Sequence, residues 1–342
     1  MNPVKPSSDL STDDRRRLGA FDTKGNPFKL APFKIWMESA GSIGVIVEPF
    51  AGEGAIPRLI AQAGFRASWS MYDIEPRNPS VKTQNTLESF PHGFKMAISN
   101  PPYLSFHFAK RKGILVNPTE FKNYPSLYLV AIEQCLKFCE FVALIVPDSF
   151  VTSEFHRDRL SHIISLPDIN MFADTTMPTC LALWGPNRAD TEYWICDKFI
   201  DKVRNLEKKI SFDKYVGQTI KFNVHNGNLG LWAIDNTHEA SIRFCHPEEI
   251  PSEKIKNSAR LVSRILVKNL SNYEVPAVIA TANKILDEWR ITTSDFLLTA
   301  FKGPRSDGAF RRRIDFANAR AILAAAITEV TQKTSAQMVI KL

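Results

Sequence analysis

Over the first half of the chain, apolar residues gather into short runs separated by polar turns, a rhythm that predicts alternating strands and helices. Residues 28–40 read as a proline-started helix, with Pro32 near its first turn. Residues 44–47 are a short β-branched strand that runs directly into Glu48-Pro49-Phe50-Ala51-Gly52-Glu53-Gly54-Ala55-Ile56-Pro57. An amphipathic stretch over 58–64 follows, with Gly64 placed as a helix C-cap. Residues 69–76 read as a second strand ending in acids, and 83–88 as a short third strand or loop. Met96-Ala97-Ile98-Ser99 is the fourth strand, stopped by Asn100-Pro101-Pro102-Tyr103, because neither proline can donate to a ladder. Strands joined by short helical crossovers predict a parallel sheet whose ligands gather at its carboxyl edge.

Patterning weakens later in the chain. Residues 1–27 are polar and predict a loose arm, and 194–218 are mixed and charged. Asn226-Gly227-Asn228-Leu229-Gly230 is a turn signal suited to a hairpin. Residues 286–298 read as a helix, and 317–330 as an alanine-rich helix. Between them, 301–313 combines two glycines, a proline and the cations Lys302, Arg305, Arg311, Arg312 and Arg313, which predicts a mobile basic loop flanked by aromatics. The chain shows no internal repeat.

A length of 342 residues suits two domains, and 44% hydrophobic and 23% charged residues are globular values. No run approaches a membrane span, and the N-terminus lacks the apolar core of a signal peptide. Five scattered cysteines point to reduced thiols in a cytoplasm. Cys135 and Cys139 lie one helical turn apart with no second pair, so they read as packing and no metal is expected. The net charge of +7 is uneven: residues 251–342 hold 15 basic and 8 acidic side chains, so the first 250 balance. A neutral front and a basic back suit chemistry in front and a polyanion grip behind, the grip falling on Lys302, Arg305, Arg311, Arg312 and Arg313, with Lys254, Lys256, Arg260, Arg264 and Lys268 as a further basic stretch.

Two turns carry the candidate chemistry. After the fourth strand, the Asn100 side-chain oxygen and the Pro101 carbonyl can accept the two N–H groups of an exocyclic amine, favouring the positive charge that grows as it attacks. Pro101 and Pro102 stiffen the backbone, and Tyr103 can cover the face of a planar ring. After the first strand, Gly52 and Gly54 permit a tight turn and close approach to a ligand. Pro57 stands where a dinucleotide fingerprint would carry its third glycine, which argues against a pyrophosphate cofactor. Glu48 would repel a phosphate and suits a cationic or hydrogen-donating head, such as an amino acid moiety. An acid at the end of the second strand, Asp73 or Glu75, is placed to accept ribose hydroxyls.

An Asn-Pro-Pro-Tyr after a Glu-Pro-x-Ala-Gly-x-Gly turn resembles the gamma-class N6-adenine DNA methyltransferases. The helix around Pro32 to Met37 matches the motif that family carries first, while 141–150 and 171–184 resemble its later strands, so the likeness covers roughly 28–186. The resemblance implies a Rossmann-like S-adenosylmethionine-dependent methyltransferase sheet over 28–190, followed by a smaller basic recognition region over 191–342. It implies that Glu48, Phe50, Gly52 and Gly54 line the S-adenosylmethionine site, that Asp73 holds the ribose and that Ile74 packs on the adenine. Asn85 stands where many relatives carry an acid; it can still hydrogen-bond the cofactor's adenine amine. Asn100, Pro101, Pro102 and Tyr103 would hold the target adenine.

The function this implies is site-specific methylation of N6 on a flipped-out adenine in double-stranded DNA, in a restriction-modification or phage setting. A prokaryotic or phage-encoded cytoplasmic monomer is expected, without membrane or metal and with a cognate restriction endonuclease as a candidate partner. Methylation of an RNA adenine or of a protein glutamine uses the same tetrapeptide; the basic tail favours nucleic acid. A non-enzymatic nucleic-acid-binding module and a dinucleotide-binding oxidoreductase are the weaker alternatives.

Overall fold

The computed structural model describes residues 23–105, 124–167, 169–172, 175–209, 219–256 and 259–340, with 333–340 described by backbone alone. The expected N-terminal arm lies outside the described residues as far as residue 22. The chain divides into two compact units, 1–203 and 204–342.

The first unit is built on nine strands: β1 (Val45–Glu48), β2 (Ser68–Asp73), β3 (Lys82–Thr83), β4 (Met96–Ser99), β5 (Phe141–Pro147), β6 (Leu160–Ser165), β7 (Thr179–Trp184), β8 (Glu192–Ile195) and β9 (Lys198–Lys202). They form one sheet in the order β3-β2-β1-β4-β5-β7-β6-β8-β9. The first five, β3-β2-β1-β4-β5, are parallel to one another, while β7 runs antiparallel to both β5 and β6. The Rossmann-like class expected from the sequence is therefore the class observed. Every residue of β4 and β7 is buried, as are the first six of β5. Such strands need apolar side chains on both faces, and each fully buried Val, Ile or Leu contributes about 1.5–3 kcal/mol.

Helices α1 (Ala31–Ser39), α2 (Ala55–Gln62) and α3 (Leu127–Phe138) accompany the sheet, and α4 (Val203–Lys208) follows β9 at the border of the units. Phe33, Trp36 and Met37 of α1 pack with Leu59 and Ile60 of α2 and with Ile46, Met96 and Phe141 of the sheet. The helix expected over 28–40 is split: Pro27–Lys29 is a 3-10 turn, Leu30 is extended, and α1 begins at Ala31. Pro32 explains the break, because its ring would strike the carbonyl of residue 28 in a continuous helix. Cys135 and Cys139 are buried, and burial pushes both thiols up, Cys139 to about 12.

The second unit holds an antiparallel sheet of β10 (Ile220–Phe222), β11 (Leu229–Trp232), β12 (Arg243–Cys245) and β13 (Val262–Val267), in the order β10-β13-β11-β12. With it come α5 (Val275–Thr293), the hairpin β14 (Thr299–Pro304) and β15 (Phe310–Arg313), and α6 (Phe316–Ile340). The Asn226–Gly230 turn does not make a hairpin, because β13 lies between β10 and β11. The Asn228 amide pairs with the Val267 N–H and carbonyl at 2.9 and 3.0 Å, which ties the turn to β13. The helix read at 286–298 starts earlier, at Val275, and ends in left-handed Ser294 and Asp295.

The basic loop expected over 301–313 is a β-hairpin, and its Arg305, Arg311 and Arg312 side chains are engaged within the unit, while Arg313 Nε is buried without a hydrogen-bond partner. Asp235, fully buried, accepts two bonds from the Arg290 guanidinium at 2.8 and 2.9 Å and the Arg312 N–H at 3.0 Å. Arg305 reaches Asp307 at 2.8 Å and Asp235 at 3.3 Å. The Arg311 Nε donates to the Asp235 carbonyl at 2.9 Å, while the buried Arg312 side chain donates to Leu298 O at 3.2 Å. Lys302 is exposed.

Candidate active site

Strand order reverses between β1 and β4, the place where an open α/β sheet leaves a crevice beyond its carboxyl ends. Three adjacent strands, β2, β1 and β4, deliver the predicted groups to that edge. β2 ends in Asp73, β1 ends in Glu48 and runs into the glycine turn, and β4 leads to Asn100.

The glycine turn is held open by its neighbours. Gly52 and Gly54 have φ of +51° and +76°, values in the left-handed region that favour glycine. Asp73 Oδ2 accepts the Gly52 N–H at 2.7 Å, and its Oδ1 accepts the Glu75 N–H at 2.9 Å. A Cβ on Gly52 would come within 2.9 Å of Arg77 Nη2, and Arg77 is itself tied to Glu53 at 3.1 Å. Gly54 then caps the N-terminus of α2. The turn is also anchored at Pro49, whose carbonyl accepts the buried Thr86 hydroxyl at 2.6 Å.

Glu48 is 1% exposed, and its Oε2 is buried without a hydrogen-bond partner. Burial, and after it the nearby Asp73 carboxylate, push the Glu48 carboxyl well above the usual carboxylate range. Burial also raises Asp73, while the N–H bonds from Glu75 and Gly52 and the charge of Arg77 oppose the rise. Ile74, next to Asp73, is 56% exposed, an apolar side chain available to a flat ligand. Phe50 is half-buried against Leu87, Leu104 and Leu127. Asn85 is half-buried, and its carbonyl accepts the Glu88 and Ser89 N–H groups at 3.2 and 3.0 Å.

At the β4 end, Pro101 is buried, and Asn100, Pro102 and Tyr103 are half-buried. The Asn100 amide is gripped at both ends. Its Nδ2 donates to Thr23 Oγ1 at 3.1 Å, and the Tyr103 hydroxyl lies 2.6 Å from its Oδ1. The same hydroxyl lies 2.9 Å from the Ile145 carbonyl, so one proton serves two acceptors. The Tyr103 ring meets Tyr128 and Phe172 edge-on, with centroids 6.4 and 6.1 Å apart. Burial foremost, with Cys180 and Tyr128 adding, raises the Tyr103 phenol well above its usual range. Tyr128 is pushed up to about 12, mainly by burial. In this structure the half-buried Tyr103 ring packs edge-on against Tyr128 and Phe172. Ser99 Oγ, one residue before the motif, is buried without a partner.

The sequence reading missed Thr23, Arg77 and Tyr128. Thr23 and Phe172 come together only through long-range pairing across the chain, which leaves no local signal. Among the described residues, no group of three or more His, Cys, Asp or Glu is placed to hold a metal. No helix among them is long and apolar enough to cross a membrane.

No protein-family model matches the sequence, and no curated protein matches it. Solved structures do resemble it. A putative class I S-adenosylmethionine-dependent methyltransferase from Listeria monocytogenes aligns at 15% identity and TM-score 0.33, over 49% of this chain and 66% of its own. The methyltransferase subunit of a type I restriction-modification system from Streptococcus thermophilus aligns at 13% identity and TM-score 0.36, over 55% and 53%. The EcoKI M protein, of a type I restriction enzyme, aligns at 13% identity and TM-score 0.36, over 91% and 71%. The chain thus spans about two thirds of the first of these and about half of the second.

Proposed function

We propose that the protein is an S-adenosylmethionine-dependent DNA methyltransferase acting on the N6 amine of adenine. The observation that carries the proposal is the convergence, at one sheet edge, of a buried Glu48 whose Oε2 has no hydrogen-bond partner, a latched double-glycine turn and the Asn100-Pro101-Pro102-Tyr103 turn. Glu48 Oε2 suits the ammonium head of the cofactor's amino acid part, and Gly52 and Gly54 let the backbone approach it. Asp73 and the exposed Ile74 would hold the adenosine, and Asn85 would hydrogen-bond its adenine amine. When bound, S-adenosylmethionine supplies an electrophilic methyl group.

The target amine is the work of the β4 turn. Asn100 Oδ1 and the Pro101 carbonyl accept its N–H groups and favour the charge that develops on nitrogen. Such an amine is out of reach inside a duplex, so the base is flipped out before transfer. Positioning supplies most of the rate in such a reaction. The exposed Lys302 of the second unit would contribute charge toward the phosphate backbone.

The test is transfer of labelled methyl groups to duplex DNA, with RNA and protein pools in parallel and modified adenines read by sequencing. Asn100→Ala should lower transfer roughly a hundredfold or more while cofactor binding persists. Near-normal turnover in that variant, or label appearing only in RNA or protein, would sink the assignment.

A further inference from the structure

Thr23 touches the candidate acceptor although no motif includes it. It is 7% exposed, and its hydroxyl oxygen takes the Asn100 Nδ2–H at 3.1 Å. Its place is fixed by residues 169–172. Thr23 pairs with Phe172 as an antiparallel bridge, and the Lys24 and Gly25 N–H groups both donate to the Met171 carbonyl, at 2.9 and 3.3 Å. Gly25 leaves no room for a side chain: a Cβ there would lie 2.5 Å from Ile169 Cγ2 and 2.9 Å from the Asn170 carbonyl. Residues 23–25 therefore form a strap pressed onto the segment that leads into β7.

From this geometry we infer that Thr23 is a positioning residue for the Asn100 carboxamide, holding its rotation while the oxygen faces the substrate amine. The inference rests on the proposed function and adds a residue to it. A carboxamide has two ends of nearly equal size and opposite hydrogen-bonding character. The transfer reaction needs the oxygen toward the amine, because a flipped amide would set N–H against N–H. Thr23 Oγ1 takes Nδ2 on one side, and the Tyr103 hydroxyl, itself 2.9 Å from the Ile145 carbonyl, takes the oxygen on the other, so the carboxamide is held at both ends. The strap is backbone-bonded and sterically locked, so this acceptor is already in place when substrate arrives. The arrangement is the preorganisation that polar catalysis requires.

Thr23→Val keeps the shape and removes the hydroxyl, and Thr23→Ser keeps the hydroxyl. We expect Thr23→Val to lower kcat about tenfold, the worth of one oriented hydrogen bond, with KM for DNA and the cofactor Kd unchanged. Thr23→Ser should restore most of the rate. A second readout is independent of turnover: in protein carrying 15N-asparagine, the Asn100 side-chain amide is identified by its loss in Asn100→Ala. Its resonances should shift and exchange faster with water in Thr23→Val and return in Thr23→Ser. Wild-type kcat in Thr23→Val, a serine variant no better than valine, or an unmoved Asn100 amide would each overturn the inference. A wild-type protein that methylates no adenine would instead overturn the proposed function, and the amide resonances would still decide whether Thr23 holds Asn100.

Discussion

The Asp73 carboxylate accepts the Gly52 amide at 2.7 Å across 21 residues of chain, so the end of β2 sets the shape of the turn after β1. A left-handed glycine and an acid that the sequence reading assigned to the ligand are also each other's support. Asp73 can therefore act on a cofactor in two ways, by direct contact and by keeping the turn open.

Asp73→Ala is expected to weaken S-adenosylmethionine by about tenfold to a hundredfold, since one hydrogen bond to a charged group is worth roughly 1.5–3 kcal/mol. Calorimetric titration measures the loss. Gly52→Val should have a similar effect, because its φ of +51° is strained for any residue with a Cβ and Arg77 Nη2 lies in the way. Unchanged affinity in both variants, or tighter binding of NAD than of S-adenosylmethionine, would remove the turn from the cofactor site.

Glu48 makes a pH prediction with a definite sign. Its folded-state pKa is raised by burial and by Asp73, so the folded protein keeps a proton that the unfolded chain releases. The stability this brings is full below about pH 4.3, the ordinary glutamate value, and is lost as pH rises toward the folded value. Glu48→Gln has no such loss. Thermal midpoints of the two proteins should agree near pH 4 and part above it, with the glutamine variant higher. Binding of a cationic head would favour the ionised form, so wild-type titrations on the acid side of the folded value should release a proton and the variant's should not. Heats that do not vary with the buffer's ionisation enthalpy would count against a protonated Glu48.

The parallel half of the sheet was legible because its strands are short, apolar and punctuated by glycine or proline. Gly52, Gly54, Pro101 and Pro102 mark two of the three loops at the candidate site, and backbone chemistry ties each to a turn. The arrangement of Tyr103 was not legible. A tyrosine on a stiff turn reads as a stacking surface, and only the positions of Ile145 and Phe172 show its hydroxyl bond and its edge-on ring contact. In the second unit, sequence reading saw charge where the structure uses it internally. Asp235 lies 55 residues from Arg290 and 77 from Arg312, separations over which no local pattern reports a pairing. The same pairing closes the hairpin that was expected to be a mobile loop.

Asp235→Ala should destabilise the second unit by about 3–5 kcal/mol, the usual result of stripping one partner from a buried ion pair. Burial alone would raise the Asp235 carboxyl, but the Arg290 hydrogen bonds and charge outweigh it and hold it below the ordinary range. A depressed carboxylate gives stability that is present above the unfolded value of about 3.9 and lost as pH falls through the folded one. Denaturant unfolding from pH 7 to pH 3 should show wild type losing stability steeply at the acid end and Asp235→Ala losing less. Parallel pH profiles would mean that the pair contributes nothing net.

The last prediction separates the cations that can grip DNA from those that hold the fold. Arg312 is buried, Arg305 is paired with Asp307 and Asp235, and Arg311 donates to the Asp235 carbonyl. Lys302, on the same hairpin, is exposed. If phosphate contact comes from this hairpin, Lys302→Ala should flatten the dependence of DNA affinity on salt by up to ~0.9 in log–log slope, the value for one released counterion. Its thermal midpoint should stay near that of wild type. Replacing Arg311, Arg312 and Arg313 together should instead lower the midpoint, because the Arg311 bond to the Asp235 carbonyl and the buried Arg312 side chain with its bond to Leu298 O are lost. Affinities across a salt series, measured below the unfolding range of each protein, give the slopes. An unchanged slope for Lys302→Ala would move the contact to the stretch from Lys254 to Lys268. There Lys254 lies over the Trp232 ring at 5.0 Å, with Arg243 at 6.0 Å from the same ring. The same salt series on Lys254→Ala and Arg243→Ala would then test that surface directly.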